Sequence, residues 1–305
     1  MSVGSARPSK CVLPNMLTHD YALPAVERLL TELITVSSGS SDEELPATMK
    51  AARYHLAAGG HRVRAKLALH GCRRLGVATE DAVVIAAAVE LLHNASLVHD
   101  DLQDREKMRR GKPTVWAAFG QDVAICTGDI LLSAAYGALA GVSETRLVPL
   151  LLRRVHERTA MVIQGQCREL SSKDRAATSL EKYESIVTGK SGALLSLPLE
   201  LAFLAARREG SVACVQEAAH AFGIGYQMVD DIEDFEADTD GQNLNIILLL
   251  QASGEGEGAF RLARNLALER LEHAERLANS LPEGTGLLLS YFARALSERL
   301  RANLS

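Results

Sequence analysis

Residues 90–114 read ELLHNASLVHDDLQDREKMRRGKPT, and how this stretch is read decides the fold. Its first half is apolar with helical spacing and runs into an Asp-Asp-x-x-Asp cluster, Asp100, Asp101 and Asp104. An α-helix advances about 100° per residue, so Asp100 and Asp104 share one face, one turn apart. Carboxylates held that way suit a hard divalent cation: Mg²⁺ takes oxygen ligands, keeps several waters, and joins one or two carboxylates to phosphate oxygens. The basic residues Arg109, Arg110 and Lys112 follow directly.

Further along, Asp230, Asp231 and Asp234 repeat the spacing. Each cluster closes a mostly apolar helical stretch, where the helix dipole already places negative partial charge, so something positive has to compensate. For one such cluster a solvated helix end is an equally good explanation. Two copies, with basic residues distributed between them, favour metal ions held around a diphosphate.

Working outward, the chain has 305 residues, 47% of them hydrophobic and dominated by Ala and Leu, with nothing resembling a linker. Such a composition favours helix almost everywhere, and predicts an all-α, single-domain helical bundle over residues 21–305 behind a flexible lead-in, 1–20. Polar and glycine breaks then divide the helices. Expected helices cover 24–35, 47–58, 61–76 and 79–104, the last capped by Thr79. Others follow a basic loop from 115, broken around Gly120 and Gly128, then over 143–167, 179–188, 193–206 and 212–234. Two C-terminal stretches are split by LPEG at 281–284. Gly59 and Gly60 permit close backbone approach, and His61, Arg62 and Arg64 gather where a helix begins, which suits an anion.

A net charge of −5 and a pI near 6.0 argue against a nucleic-acid partner. Five widely spaced cysteines without a CxxC pair fit free thiols in a reducing cytosol, hence a cytoplasmic location. The N-terminus lacks a signal-peptide run, and no uninterrupted apolar stretch reaches about 18 residues, so no stable membrane insertion is expected. Residues 236–241, EADTDG, have the start of a calcium loop, but the twelfth position is Ile247 rather than Glu, which excludes an EF-hand.

The ordered motifs GGHRVR, LLHNASLVHDDLQD with RRGKPT, GDILL, QGQ, GKSGAL and FGIGYQMVDDIEDF resemble the trans-isoprenyl diphosphate synthases of the polyprenyl synthetase family, over about residues 45–240. The resemblance is closest to geranylgeranyl diphosphate synthases. It implies a bundle around a deep central cavity, of isoprenoid synthase type and dimeric, joining isopentenyl diphosphate to an allylic diphosphate. By this similarity Asp100, Asp104 and Asp230 are the main ligands of Mg²⁺, three ions bound with the allylic diphosphate, and Asp101, Asp231 and Asp234 support them. Arg109, Lys190, Ser191 and Gln227 hold the allylic diphosphate, while His61, Arg64, His93 and Arg110 hold isopentenyl diphosphate. His93 lies seven residues before Asp100, two turns back on the same face.

Product length is expected to follow the residues beneath the first cluster, Ser96, Ala95 and Leu92. The first two are small, which favours a C20 product. The chain departs from the family pattern at His61, where lysine is usual, at Ala65 for proline and at Trp116 for histidine. No Lys or Arg occurs between Asp234 and Arg261, where relatives carry a basic lid. A class I terpene cyclase and a noncatalytic partner subunit of a prenyl synthase are the alternatives. The first lacks its Asn/Ser/Glu triad here; the second often lacks an aspartate cluster that this chain retains.

Overall fold

The computed structural model describes residues 22–35, 45–171, 179–235 and 244–302. The expected N-terminal lead-in and the EADTDG segment lie outside the described residues. The elements, in chain order, are α1 (Leu23–Ile34), α2 (Ala47–Ala57), α3 (Val63–Arg74) and α4 (Thr79–Gln103). A two-stranded hairpin, β1 (Met108–Arg109) and β2 (Lys112–Pro113), precedes α5 (Val115–Phe119), α6 (Gln121–Leu139), α7 (Val148–Ser171) and α8 (Leu180–Val187). A π-turn, Thr188–Gly192, joins α8 to α9 (Ala193–Ala205). Then come α10 (Val212–Glu233), α11 (Ile246–Leu250), α12 (Ala259–Ser280) and α13 (Leu287–Ala302).

The all-α expectation holds, with local differences that have physical causes. The basic loop after α4 is a hairpin because Arg110 and Gly111 adopt φ of +53° and +76°, the pair of positive values that a two-residue type I′ turn needs. Thr79 is the first helical residue rather than a cap; Ala78 precedes it and no side chain caps the helix. The break at Gly120 (φ +90°) is real, whereas α6 runs straight through Gly128, whose missing side chain leaves room for the His99 ring.

Helices α4 and α6 pack side by side, as do α10 and α12, and α9 lies across α3, α7 and α10. A fully buried carboxylate, Glu200 of α9, ties three of these together: it accepts from Arg154 and Arg158 of α7 and from Gln216 of α10 at 3.0 Å. Buried charge of this kind is tolerated because two guanidiniums pair with it.

By length and mean hydropathy three helical runs among the described residues are able to cross a membrane: Thr79–Gln103, Gln121–Leu139 and Leu180–Ala205. None is an uninterrupted apolar stretch; tolerance for scattered polar residues is what admits them. The first and third are 67% and 78% buried in the protein's own core, which accounts for their apolarity, but Gln121–Leu139 is only 44% buried.

Candidate active site

Three groups of charged side chains assemble at the helix ends. The first forms where α4 stops. Asp100 and Asp104 lie near Lys190 on the π-turn, which also pairs with Glu169 of α7 at 2.8 Å. A π-turn inserts an extra residue into the helical ladder and commonly marks a functional position. Here it pushes Lys190 toward α4. The glycine of QGQ permits this, since a Cβ on Gly165 would stand 3.0 Å from the Lys190 backbone nitrogen.

Burial raises the Asp100 carboxyl to about 6, aided by Asp104 and Glu169, against the pull of Lys190 and Arg109. Burial likewise raises Asp104. Burial alone would lower the Lys190 ammonium, but Asp100, Glu169 and Asp104 outweigh it and leave it raised. Asp101 points elsewhere. It is 1% exposed and takes a bidentate clamp from Arg109, with Nε 2.8 Å from Oδ1 and Nη2 2.5 Å from the same oxygen.

The second group lies two turns back along α4. His93 is enclosed by Arg64, Arg110, Arg109 and His55, and burial together with the three guanidiniums holds its imidazole well below the usual value. Arg110 donates to the Gly59 carbonyl and packs over Gly60, where any side chain would collide with its guanidinium at 2.8 Å. Arg62, expected with Arg64 at an anion site, is instead spent inside the protein: it adopts φ +49°, bonds Glu27 at 2.7 Å and reaches Glu90 at 3.3 Å. The Ala65 backbone N–H also donates to Glu90 at 3.3 Å, a bond that proline at this position could not make. His61 is exposed.

The third group closes α10. Burial raises Asp230 to about 7, with Asp234, Glu233 and Asp231 adding to it and Arg299 opposing. Asp231 is turned inward, 3% exposed, and accepts from the Tyr183 hydroxyl at 2.7 Å, Gln227 Nε2 at 2.9 Å and the Ile246 N–H at 2.9 Å. Asn245 completes the latch by donating to the Asp231 carbonyl at 2.8 Å. Gln227, expected at a diphosphate, therefore has its amide nitrogen engaged by Asp231. Tyr226 connects the second and third groups, bonded to Asp230 and electrostatically coupled to Arg64.

Carboxylates held above their ordinary range by burial and by one another are a donor set that lacks positive charge, and that chemistry fits Mg²⁺ at Asp100, Asp104 and Asp230. Among the described residues no three His, Cys, Asp or Glu side chains converge into a ready-made ion cage. Mg²⁺ has no need of one, because it keeps waters and shares substrate phosphates.

The polyprenyl synthetase family model matches residues 46–246. The chain belongs to the polyprenyl synthetase family. A short chain isoprenyl diphosphate synthase of Methanothermobacter thermautotrophicus is 30% identical over 249 residues, covering 80% of this chain and 75% of that one. A chloroplastic geranylgeranyl pyrophosphate synthase of Capsicum annuum is 36% identical over 218 residues, which is 69% of this chain but only 58% of the pepper protein. Among solved structures, a geranylgeranyl pyrophosphate synthetase from the archaeon Geoglobus acetivorans superimposes with a TM-score of 0.80 at 25% identity, covering 90% of this chain and 97% of that one.

Within this polyprenyl synthetase, several site residues escaped sequence reasoning. Gln166 of QGQ is 6% exposed, and neither end of its amide has a partner. Its motif was visible; its orphaned amide was not. Glu169, Tyr183 and Asn245 carry no local signal, since their roles depend on partners 21, 48 and 14 residues away. Arg299 of α13 is the cation beside the second cluster, paired with Glu233 at 3.0 Å. The basic lid was sought after Asp234, and residues 236–243 of that segment lie outside the described residues. Leu92 and Ala95 are buried, at 4% and 3%, and the Ser96 hydroxyl donates to the His93 carbonyl at 2.8 Å.

A cavity of about 480 Å³ opens between α7, α8 and the outer side of the π-turn, lined by Met161, Gln164, Glu181 and Ile224 among others. It holds none of the aspartates and lies apart from the three groups.

Proposed function

We propose that this chain is a trans-prenyltransferase that condenses isopentenyl diphosphate head-to-tail with an allylic diphosphate, giving an all-trans prenyl diphosphate of C20 length, geranylgeranyl diphosphate. The observation that carries this reading is the pairing of two undercompensated aspartate clusters with a separate cationic pocket around His93. Two diphosphates need two anion sites, and only the departing one needs strong neutralisation.

Asp100, Asp104 and Asp230 would hold three Mg²⁺ ions, with Asp234 in support. Bound with the allylic diphosphate, these ions supply the charge neutralisation that lets the allylic C–O bond ionise. Lys190 adds a fixed ammonium on the same side, and Ser191 beside it on the turn, with Arg109 and Gln227, orients the leaving group. Arg109 has one guanidinium edge clamped on Asp101, which leaves the other edge for a phosphate oxygen. Arg64, His93 and Arg110 hold isopentenyl diphosphate so that its double bond attacks the allylic carbon. The proton lost from the new allylic position passes to the departed diphosphate.

Ala95 and Ser96 are small, so the chain grows past them toward Leu92, and one helical turn of about 5.4 Å accommodates one isoprene unit. We also propose a homodimer in the cytoplasm. The dimer is supported by the apolar α6, left 44% buried with Ile125 47% exposed, and by Ile163 and Leu170 on α7. Cys126 and Cys214 are free thiols, which suits a reducing compartment.

Labelled isopentenyl diphosphate, Mg²⁺ and each primer from C5 to C20, with product lengths resolved, tests the reading. A C20 limit product is expected. Absence of any elongated product with every primer would sink it, and turnover by the purified chain alone separates an enzyme from a noncatalytic partner subunit.

A further inference from the structure

The pocket around His93 contains a second imidazole that the proposed chemistry leaves idle. His55 of α2 is 5% exposed, and its Nε2 is buried without a hydrogen-bond partner. Two neighbours in the same pocket share this condition, His93 at Nδ1 and Arg64 at Nε. Buried polar atoms are rarely left unpaired, and a cluster of three in one place points to a missing ligand.

The tautomer follows from Asn94. Its amide nitrogen donates to the Glu90 carbonyl at 2.7 Å, and its Oδ1, buried and itself unpaired, is the acceptor beside the His55 ring. An Nδ1–H directed at that oxygen puts the lone pair on Nε2. A lone pair facing an anion is repelled, so this nitrogen has to be protonated before it can bind one.

The charges around the ring are known from every side. The segment before α3 brings Arg62, already paired with Glu27 of α1 and Glu90 of α4, and the hairpin brings Arg109 and Arg110. His93 approaches from α4. On α2 itself Arg53 and Lys50 lie two and five residues away, off the ring's side of the helix. Helix α5 has no titratable group, and Asp122 and Asp129 of α6 are exposed, the latter 3.6 Å from His99 of α4. The surroundings of His55 are therefore cationic.

Resting on the proposed function, we propose that a diphosphate bound among Arg64, His93 and Arg110 draws a solvent proton onto Nε2 of His55, which then donates a hydrogen bond to it. Arg110 closes the pocket by donating to the Gly59 carbonyl. Exchange of that carbonyl for a phosphate oxygen opens the ring to the ligand, and neutralisation of the guanidiniums removes what keeps the ring uncharged. In the free protein burial and the arginines hold the His55 imidazole down at about 4, so the proton is not already there at neutral pH. His55 is in this sense a binding residue for the non-allylic substrate, and its occupancy is linked to proton uptake.

The full chain, labelled with ¹⁵N-histidine, is titrated at pH 7 with isopentenyl diphosphate in the absence of primer. The His55 resonances are identified by their loss in His55→Gln. A ring that changes from singly to doubly protonated on saturation is expected; a ring that stays singly protonated, or is doubly protonated beforehand, overturns the proposal. Inorganic pyrophosphate serves as a second probe. If no primer is ever elongated but pyrophosphate still protonates His55, the proposed reaction fails while the anion site stands. In kinetics, His55→Gln keeps a donor but cannot ionise. KM for isopentenyl diphosphate should rise about tenfold at pH 7, with kcat and the primer KM within about twofold. Equal rises in both KM values, or a fall in kcat alone, would assign His55 a structural part and overturn it.

Discussion

At the end of α4 the middle aspartate, Asp101, is closed by a charge, Arg109 from the hairpin eight residues on. At the end of α10 its counterpart Asp231 is closed by neutral donors, the Tyr183 hydroxyl, Gln227 and the Ile246 N–H. In both places the middle carboxylate ties the chain that follows back to its helix. The two outer aspartates, Asp100 with Asp104 and Asp230 with Asp234, are left for other work. What differs is compensation. The first cluster has Lys190 beside it, whereas the second has Arg299, which is 46% exposed and already paired with Glu233. The consequence is visible in the carboxyls: Asp100 is raised to about 6 and Asp230 to about 7. Equal spacing in sequence thus gives unequal electrostatics, because the cations come from elsewhere in the fold.

The comparison breaks most decisively at the outer aspartates. Asp100→Ala and Asp230→Ala should each reduce Mg²⁺-dependent turnover by about 100-fold or more, as expected when charge stabilisation of a leaving group is removed. Circular dichroism should report an unchanged helical fold. Near-normal turnover in either variant would show that only one cluster binds metal.

The middle aspartates should separate by stability. Asp231→Asn turns an amide nitrogen either on the Tyr183 hydroxyl and the Ile246 N–H, which share Oδ2, or on Gln227 Nε2 at Oδ1, inside a buried site, and should cost about 2–3 kcal/mol. Asp101→Asn keeps an acceptor for Arg109, whose guanidinium is 32% exposed and can turn to water, and should cost roughly 1 kcal/mol. Denaturant unfolding compares them directly; equal losses would mean that the two closures are equivalent.

The sequence told most where the signal was local. Asp-Asp-x-x-Asp at a helical period, glycine pairs and polar breaks yielded the helices and the two clusters, because each depends on neighbours within a turn or two. Of the basic motif residues, Lys190 stands beside Asp100 and Asp104, while Arg64 and Arg110 gather around His93. Arg62 was misjudged, since nothing within GGHRVR reveals that Glu27 and Glu90 will draw it inward. Arg299 and Tyr183 were invisible for the converse reason: each reaches the site from a distant helix.

The smallest effect concerns pH in the metal-free protein. Both carboxyls are more easily protonated in the folded chain than in the unfolded one, where about 3.8 is normal. Between that value and about 6 for Asp100, or about 7 for Asp230, the folded state binds more protons. Stability therefore falls as pH rises through this window and levels off above it. The group with less compensation should dominate. Discounted for solvent screening, Asp230→Asn should raise the metal-free melting temperature at pH 8 by roughly 3 °C, and Asp100→Asn by less. At pH 4 both gains should vanish, since the native carboxyls are then protonated and resemble the amide. Arg299→Ala should act in the opposite direction, lowering the pH 8 melting temperature in the parent and much less in Asp230→Asn. If Arg299→Ala costs the same in both backgrounds, its charge does not act on Asp230, and the contrast between the clusters rests on Lys190 and Arg109 at the first and on the neighbouring carboxylates at the second.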